Sequence, residues 1–210
     1  MTDTLAALAA LGVVPVVVVD DPANARPLAD ALVAGGLPTA EVTLRTPQAV
    51  DVIRELAQHG GILVGAGTVV STSQVEQVVA AGAQYVVSPG FSVSISHACR
   101  DAGVPLIPGA VTATEIQAAL EAGHDLVKFF PAAAQGGLPT VKALSAPFPQ
   151  VRFVPTGGID AQSLRDYLRF PAIAAVGGTW IAPRDLIVAG NFEEIAARAR
   201  AATQAVVEER

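Results

Sequence analysis

The chain has 210 residues, a formal net charge of −6 at pH 7, 51% hydrophobic and 15% charged side chains. That is enough apolar chain for one large core, and the acidic balance argues against nucleic-acid or anionic-membrane partners, which favour basic patches. Cys99 is the single cysteine, which excludes an intrachain disulfide and a thiolate metal cluster and fits a reducing compartment.

Residues 4–11 read as a short alanine-rich helix, and residues 13–19 as a β-branched strand. The second stretch holds Pro15 and stops at Asp20-Asp21, too short to span a bilayer. The first basic residue is Arg26, so the positive n-region of a secretory signal is missing. We expect a soluble, cytoplasmic protein. A helix follows over 23–34, ending at Gly35-Gly36 in the place of a C-cap.

The pattern then repeats. Strand-like runs fall at 40–44, 62–65, 84–87, 105–107, 125–130, 151–154 and 173–176. Helical stretches separate or follow them at 47–59, 72–81, 93–102, 112–122, 138–146, 161–169 and 192–207. Ala81-Gly82, Ala102-Gly103 and Ala122-Gly123 each close a helix just before a strand, the spacing of a stacked βα unit. Thr72, Thr112 and Asp160 stand where helix N-caps belong. Counted from 13–19 there are eight strand-then-helix units, which predict a single-domain (β/α)₈ TIM barrel over 1–210 with a short N-terminal helix. A doubly wound open sheet is the alternative, but the first strand-to-helix turn lacks a glycine-rich dinucleotide fingerprint.

In such a barrel, active residues lie at the C-terminal ends of strands. The run Leu126-Val127-Lys128-Phe129-Phe130-Pro131 puts one ammonium group in an apolar strand, in a chain with only two lysines against eleven arginines. Burying an unpaired charge is costly, so burial favours a neutral amine, the nucleophile that forms a Schiff base with a carbonyl. Pairing with a carboxylate for structural reasons, or snorkelling to the strand end, remains open on this stretch alone. In the second strand-like run, period two puts Glu41, Thr43 and Arg45 on one face and Ala40, Val42 and Leu44 on the other. The polar set is expected inward, where Lys128 would meet it. Glu41 and Arg45 read equally as a structural ion pair or as an acid/base with an anion clamp.

Gly65-Ala66-Gly67-Thr68 allows close backbone approach and a hydroxyl donor, or simply a tight turn with a helix cap. Thr156-Gly157-Gly158 and Gly177-Gly178-Thr179 follow the last two strands, the place of the common barrel phosphate site, where glycine N–H groups cradle an anion. His59, His97 and His124 have no metal-ligand spacing. Cys99 reads as a packing residue, and no serine nucleophile elbow is present.

With these motifs assembled, the chain resembles the 2-keto-3-deoxy-6-phosphogluconate aldolases, also known as 4-hydroxy-2-oxoglutarate aldolases. The likeness runs nearly end to end, through Val13-Val14-Pro15-Val16, Glu41-Val42-Thr43-Leu44-Arg45-Thr46, Gly65-Ala66-Gly67-Thr68, Ser88-Pro89-Gly90, Ile107-Pro108-Gly109, Val127-Lys128-Phe129-Phe130-Pro131-Ala132, Pro155-Thr156-Gly157-Gly158-Ile159 and Gly177-Gly178-Thr179-Trp180. The resemblance implies a class I aldolase of TIM-barrel fold, usually a homotrimer, acting without metal or other cofactor on a phosphorylated keto acid. It implies Lys128 as the Schiff-base lysine, Glu41 as the proton-transfer residue, and Arg45 and Thr68 on the pyruvate carboxylate. Pro89, Phe130 and Thr156 would line the substrate, with Gly157, Gly158, Gly178 and Thr179 near its phosphate. Ala133 and Gln135 depart from the family pattern, which has an acidic residue and commonly Asn there; this bears on substrate-loop contacts. The nearest alternative is an aldolase acting mainly on 4-hydroxy-2-oxoglutarate; a more distant one is a phosphate-binding barrel isomerase or synthase without an imine.

Overall fold

A computed structural model describes residues 2–210. In chain order the elements are α1 (Asp3–Leu11), β1 (Val13–Val17), α2 (Ala25–Ala34), β2 (Thr39–Thr43), α3 (Ala49–His59), β3 (Leu63–Gly67), α4 (Thr72–Ala80), β4 (Tyr85–Val87), α5 (Val93–Asp101), β5 (Leu106–Ile107) and α6 (Ala113–Glu121). The second half runs β6 (Leu126–Phe129), α7 (Gly137–Ser145), β7 (Arg152–Pro155), α8 (Leu164–Leu168), β8 (Val176–Gly178), α9 (Arg184–Val188) and α10 (Phe192–Glu209).

The result is an α/β fold of parallel strands curled as part of a barrel. Six strands form one sheet in the order β5-β4-β3-β2-β1-β8, and β6 and β7 form a second. Isolated parallel bridges join the two, Gly109 to Lys128 at one seam and Phe153 to Ile173 and Thr156 to Gly177 at the other. Parallel strands need crossovers, and the helices supply them.

Strand parity sorts the side chains. Val42, Val64, Val86, Val127, Phe129 and Phe153 point outward into a large core shared with the helices. A smaller cluster fills the interior at the N-terminal end: Leu5, Leu8 and Ala9 of α1 pack against Val14, Tyr85, Val87, Ile107, Leu126 and Val154. The short first helix is thus a plug, and the interior is apolar at that end. Toward the other end the buried inner residues turn polar: Thr43, Glu41, Lys128 and Thr156.

Several boundaries differ from expectation for local reasons. The last strand lies at Val176–Gly178, later than the apolar run 173–176 suggests. Its ladder to β1 pairs Val13 with Val176, Val14 with Gly177 and Pro15 with Gly178, whereas Ile173 makes one isolated bridge to Phe153. Helix α4 is capped by Ser71, which accepts from the Gln74 N–H, so Thr72 is its first helical residue and not its cap. Thr112 caps α6 in a reciprocal box with Glu115. Asp160 accepts from the N–H groups of Gln162 and Ser163 and so caps a turn that leads into α8. The short helix α9 has no counterpart in the sequence reading.

Helix α2 ends in a Schellman turn, with Leu37 N–H on the Leu32 carbonyl and Gly36 N–H on that of Val33. Gly35 lies so close to α10 that a β-carbon there would overlap Ala199. The last helix is thereby seated against the second, which fixes where its own side chains reach.

Candidate active site

Strands β2 and β6 bring together two residues 87 positions apart: Lys128 Nζ donates to Glu41 Oε1 at 2.9 Å. Glu41 is 2% and Lys128 6% exposed. The lysine is therefore buried but not unpaired: of the readings left open by the sequence, the structure shows the carboxylate partner, and it is Glu41. The Phe130 ring centroid stands 5.4 Å from Nζ.

Strand β3 makes room for this pair. A β-carbon at Gly67 would overlap the Glu41 carboxylate and its Cγ, and one at Gly65 would overlap the Tyr85 ring. Both glycines thus serve a close approach between neighbouring strands. Tyr85 is fully buried, with its hydroxyl 3.3 Å from Thr39 Oγ1. The Thr39 hydroxyl hydrogen is committed to the Leu63 carbonyl at 2.9 Å, so Tyr85 donates and Thr39 accepts. Burial first, and the Glu41 charge second, push the Tyr85 phenol well above the ordinary tyrosine range. Tyr85 is a neutral floor that stays protonated at any working pH.

The other candidates surround this centre at one rim, because every strand runs the same way. The inward alternation of β2 ends with Thr43, whose hydroxyl donates to the Val17 carbonyl at 3.0 Å. Arg45 lies past the strand in a turn, exposed, rather than on the buried face with Glu41. Thr68 follows β3 with φ 62, the one non-glycine residue with positive φ among the described residues. A β-branched residue there stores roughly 1–3 kcal/mol of backbone strain, the kind that clusters at functional sites. Pro89 is exposed beyond β4 and Phe130 half-buried beyond β6. Thr156 is buried at the end of β7; Gly157 and Gly158 follow with φ 95 and 74. Gly178 lies under the Trp180 ring, and Thr179 is exposed. Direct hydrogen bonding joins Lys128 and Glu41; Arg45 and Thr68 share the rim with them without bonding to the pair.

Tyr85 and Thr39 were not singled out from sequence. Period-two parity would have found Tyr85, since Tyr85 and Val87 share the inward face of β4. Among the described residues no group of three His, Cys, Asp or Glu side chains is placed to hold a metal ion, and no helix is long and apolar enough to cross a membrane. A separate pocket of about 310 Å³ lies at the opposite, N-terminal end of the strands, lined by Leu5, Ser96, Cys99, Arg100 and His124 among others. Ser96 Oγ and His124 Nε2 are 2.7 Å apart there, and burial raises the Cys99 thiol to about 11.

Known proteins match along nearly the whole chain. The KDPG and KHG aldolase family model matches residues 5–198. A 2-dehydro-3-deoxy-phosphogluconate aldolase of Treponema pallidum is 45% identical over 201 residues, covering 95% of this chain and 96% of the relative. The crystal structure of KDPG aldolase from Legionella pneumophila, with pyruvate captured as a covalent carbinolamine intermediate, superposes with a TM-score of 0.92 at 44% identity, covering 96% of this chain and 98% of that one. The 2-keto-3-deoxy-6-phosphogluconate aldolase of Zymomonas mobilis with 3-phosphoglycerate gives 0.88 at 41% identity, covering 96% and 94%.

Proposed function

The chain belongs to the KDPG and KHG aldolase family and is a carbon–carbon lyase, and from that premise we propose how its own residues cleave 2-keto-3-deoxy-6-phosphogluconate to pyruvate and glyceraldehyde 3-phosphate. The observation that carries the reading is the buried 2.9 Å hydrogen bond from Lys128 to Glu41. It supplies an amine and a base already sharing a proton.

Lys128 passes that proton to Glu41, and the free amine attacks the C2 ketone. Glu41 returns the proton to the carbinolamine hydroxyl, water leaves, and a protonated imine remains. Glu41, again a carboxylate, takes the C4 hydroxyl proton directly or through water as the C3–C4 bond breaks into the imine. Glyceraldehyde 3-phosphate departs, the enamine is protonated at C3, and hydrolysis frees pyruvate and Lys128. Tyr85, neutral and hydrogen-bonded to Thr39, offers Glu41 no competing proton.

In this reading Arg45 and Thr68 hold the pyruvate carboxylate, and the strained Thr68 backbone supports a positioned role. Pro89, Phe130 and Thr156 line the substrate. Gly157, Gly158, Gly178 and Thr179 receive the phosphate through N–H groups. Parallel bridges at both seams support a closed (β/α)₈ barrel of one domain. The family resemblance supports a homotrimer, and the lone buried thiol is consistent with a cytoplasmic setting.

Borohydride reduction in the presence of pyruvate, followed by mass spectrometry, tests the assignment. The expected result is one reduced pyruvate adduct on Lys128; an unmodified protein, or an adduct on Lys142, sinks it.

A further inference from the structure

Helix α10 is seated on the outside of the strands, yet one of its residues reaches the rim. Arg198 donates from Nη1 to the main-chain carbonyl of Trp180 at 2.9 Å. Its Nε is held at 2.7 Å by Glu194, one turn earlier on the same helix. Trp180 lies just past β8, whose last residues are Gly177 and Gly178, and its ring lies against Gly178 with no space for a β-carbon between them. Gly177 is equally tight against the Thr156 hydroxyl. This segment is thus fixed by its own ring, by β7 and, through one carbonyl, by Arg198.

A pocket of about 360 Å³ opens between this segment and the turn after β7, lined by Asp160, Ala161, Gln162, Trp180 and Arg198. Two charges face it. The Asp160 carboxylate is engaged by the N–H groups of Gln162 and Ser163 and by the Ser163 hydroxyl. Bonds to that cap, Ser163 foremost, hold it below the usual carboxylate range. Arg198 keeps Nη2 without an acceptor among the described residues and is 39% exposed.

We propose that Arg198 is a positioning residue that sets the enzyme's preference for the phosphorylated end of its substrate. It fixes the segment that carries Thr179, whose N–H groups would meet the phosphate monoester, through the Trp180 carbonyl. This rests on the imine mechanism and the phosphate-binding turns proposed above.

The test compares wild type with Arg198→Met, which keeps the aliphatic stem, and with Arg198→Lys. Three readouts are needed: steady-state kinetics on 2-keto-3-deoxy-6-phosphogluconate, inhibition by inorganic phosphate, and borohydride trapping of pyruvate, which carries no phosphate. For Arg198→Met the KM should rise about tenfold, the scale of one lost charge-assisted hydrogen bond. Its inhibition constant for inorganic phosphate should rise in parallel, kcat should stay within about twofold, and pyruvate trapping should match wild type. Arg198→Lys should recover part of the phosphate inhibition. Equal losses in trapping and in phosphorylated-substrate kinetics would mean a merely structural role and overturn the proposal. So would an unchanged KM and phosphate inhibition. Failure of wild type itself to trap pyruvate would strike the imine reading instead, so the two failures are separable.

Discussion

At the scale of single residues, the proposed chemistry rests on where one proton sits between Lys128 and Glu41. Glu41→Gln keeps the shape and removes the base. Turnover should fall by about 10²–10⁴-fold, the usual worth of a positioned acid or base. Pyruvate should still be trapped on the lysine over long incubation, because the amine survives. Full turnover in that variant would remove Glu41 from the mechanism. Lys128 was legible early because a lone ammonium stood in an apolar strand, and Glu41 because period two aimed it the same way. Arg45 was read on the same face, but parity holds only while the strand does, and β2 ends at Thr43. Tyr85 lay within reach of the same parity, but the Thr39 contact to Tyr85 and the Arg198 contact to the Trp180 carbonyl join residues distant along the chain, and a single sequence carries no mark of those.

At the scale of elements, the βα rhythm was legible because helix-ending Ala-Gly pairs and apolar strands alternate at a near-constant spacing. What was not legible depends on neighbours. Residues 173–175 look like the last strand by composition. The regular ladder nevertheless forms at Val176–Gly178, because two glycines fit between β1, Thr156 and the Trp180 ring where larger residues would not. Tertiary space outweighed β-propensity there. The α4 boundary makes a sharp test of capping. Ser71→Ala removes an acceptor for the Gln74 N–H and should cost about 1 kcal/mol. Thr72→Ala, on an exposed first-turn residue, should cost only a few tenths of that. Urea denaturation of both variants decides, and equal losses would reject Ser71 as the cap.

At the scale of the whole molecule, acid should act in two stages. Burial foremost, then Arg100, lowers the His124 imidazole below its ordinary 6.5, against opposing effects of Asp125 and the Leu106 carbonyl. The unfolded chain therefore takes up that proton before the folded one, so stability falls as pH drops from 6.5 toward the folded value and then levels. The carboxylates held low by arginine partners, among them Asp20 and Glu209, add their losses only at more acidic pH. His124→Gln should flatten the first stage, read as the change in urea midpoint between about pH 7.5 and 5.5. An unchanged slope would exclude His124 as its source. Glu41 belongs to the six-stranded sheet and Lys128 to the two-stranded one, and the seams between them are isolated bridges, one on one side and two on the other. The hydrogen bond at the reacting centre is therefore also a cross-brace between two panels. In the proposed mechanism the proton leaves and returns to a contact that spans both sheets, so bond-making in the interior and the tie between the walls around it share one pair of side chains.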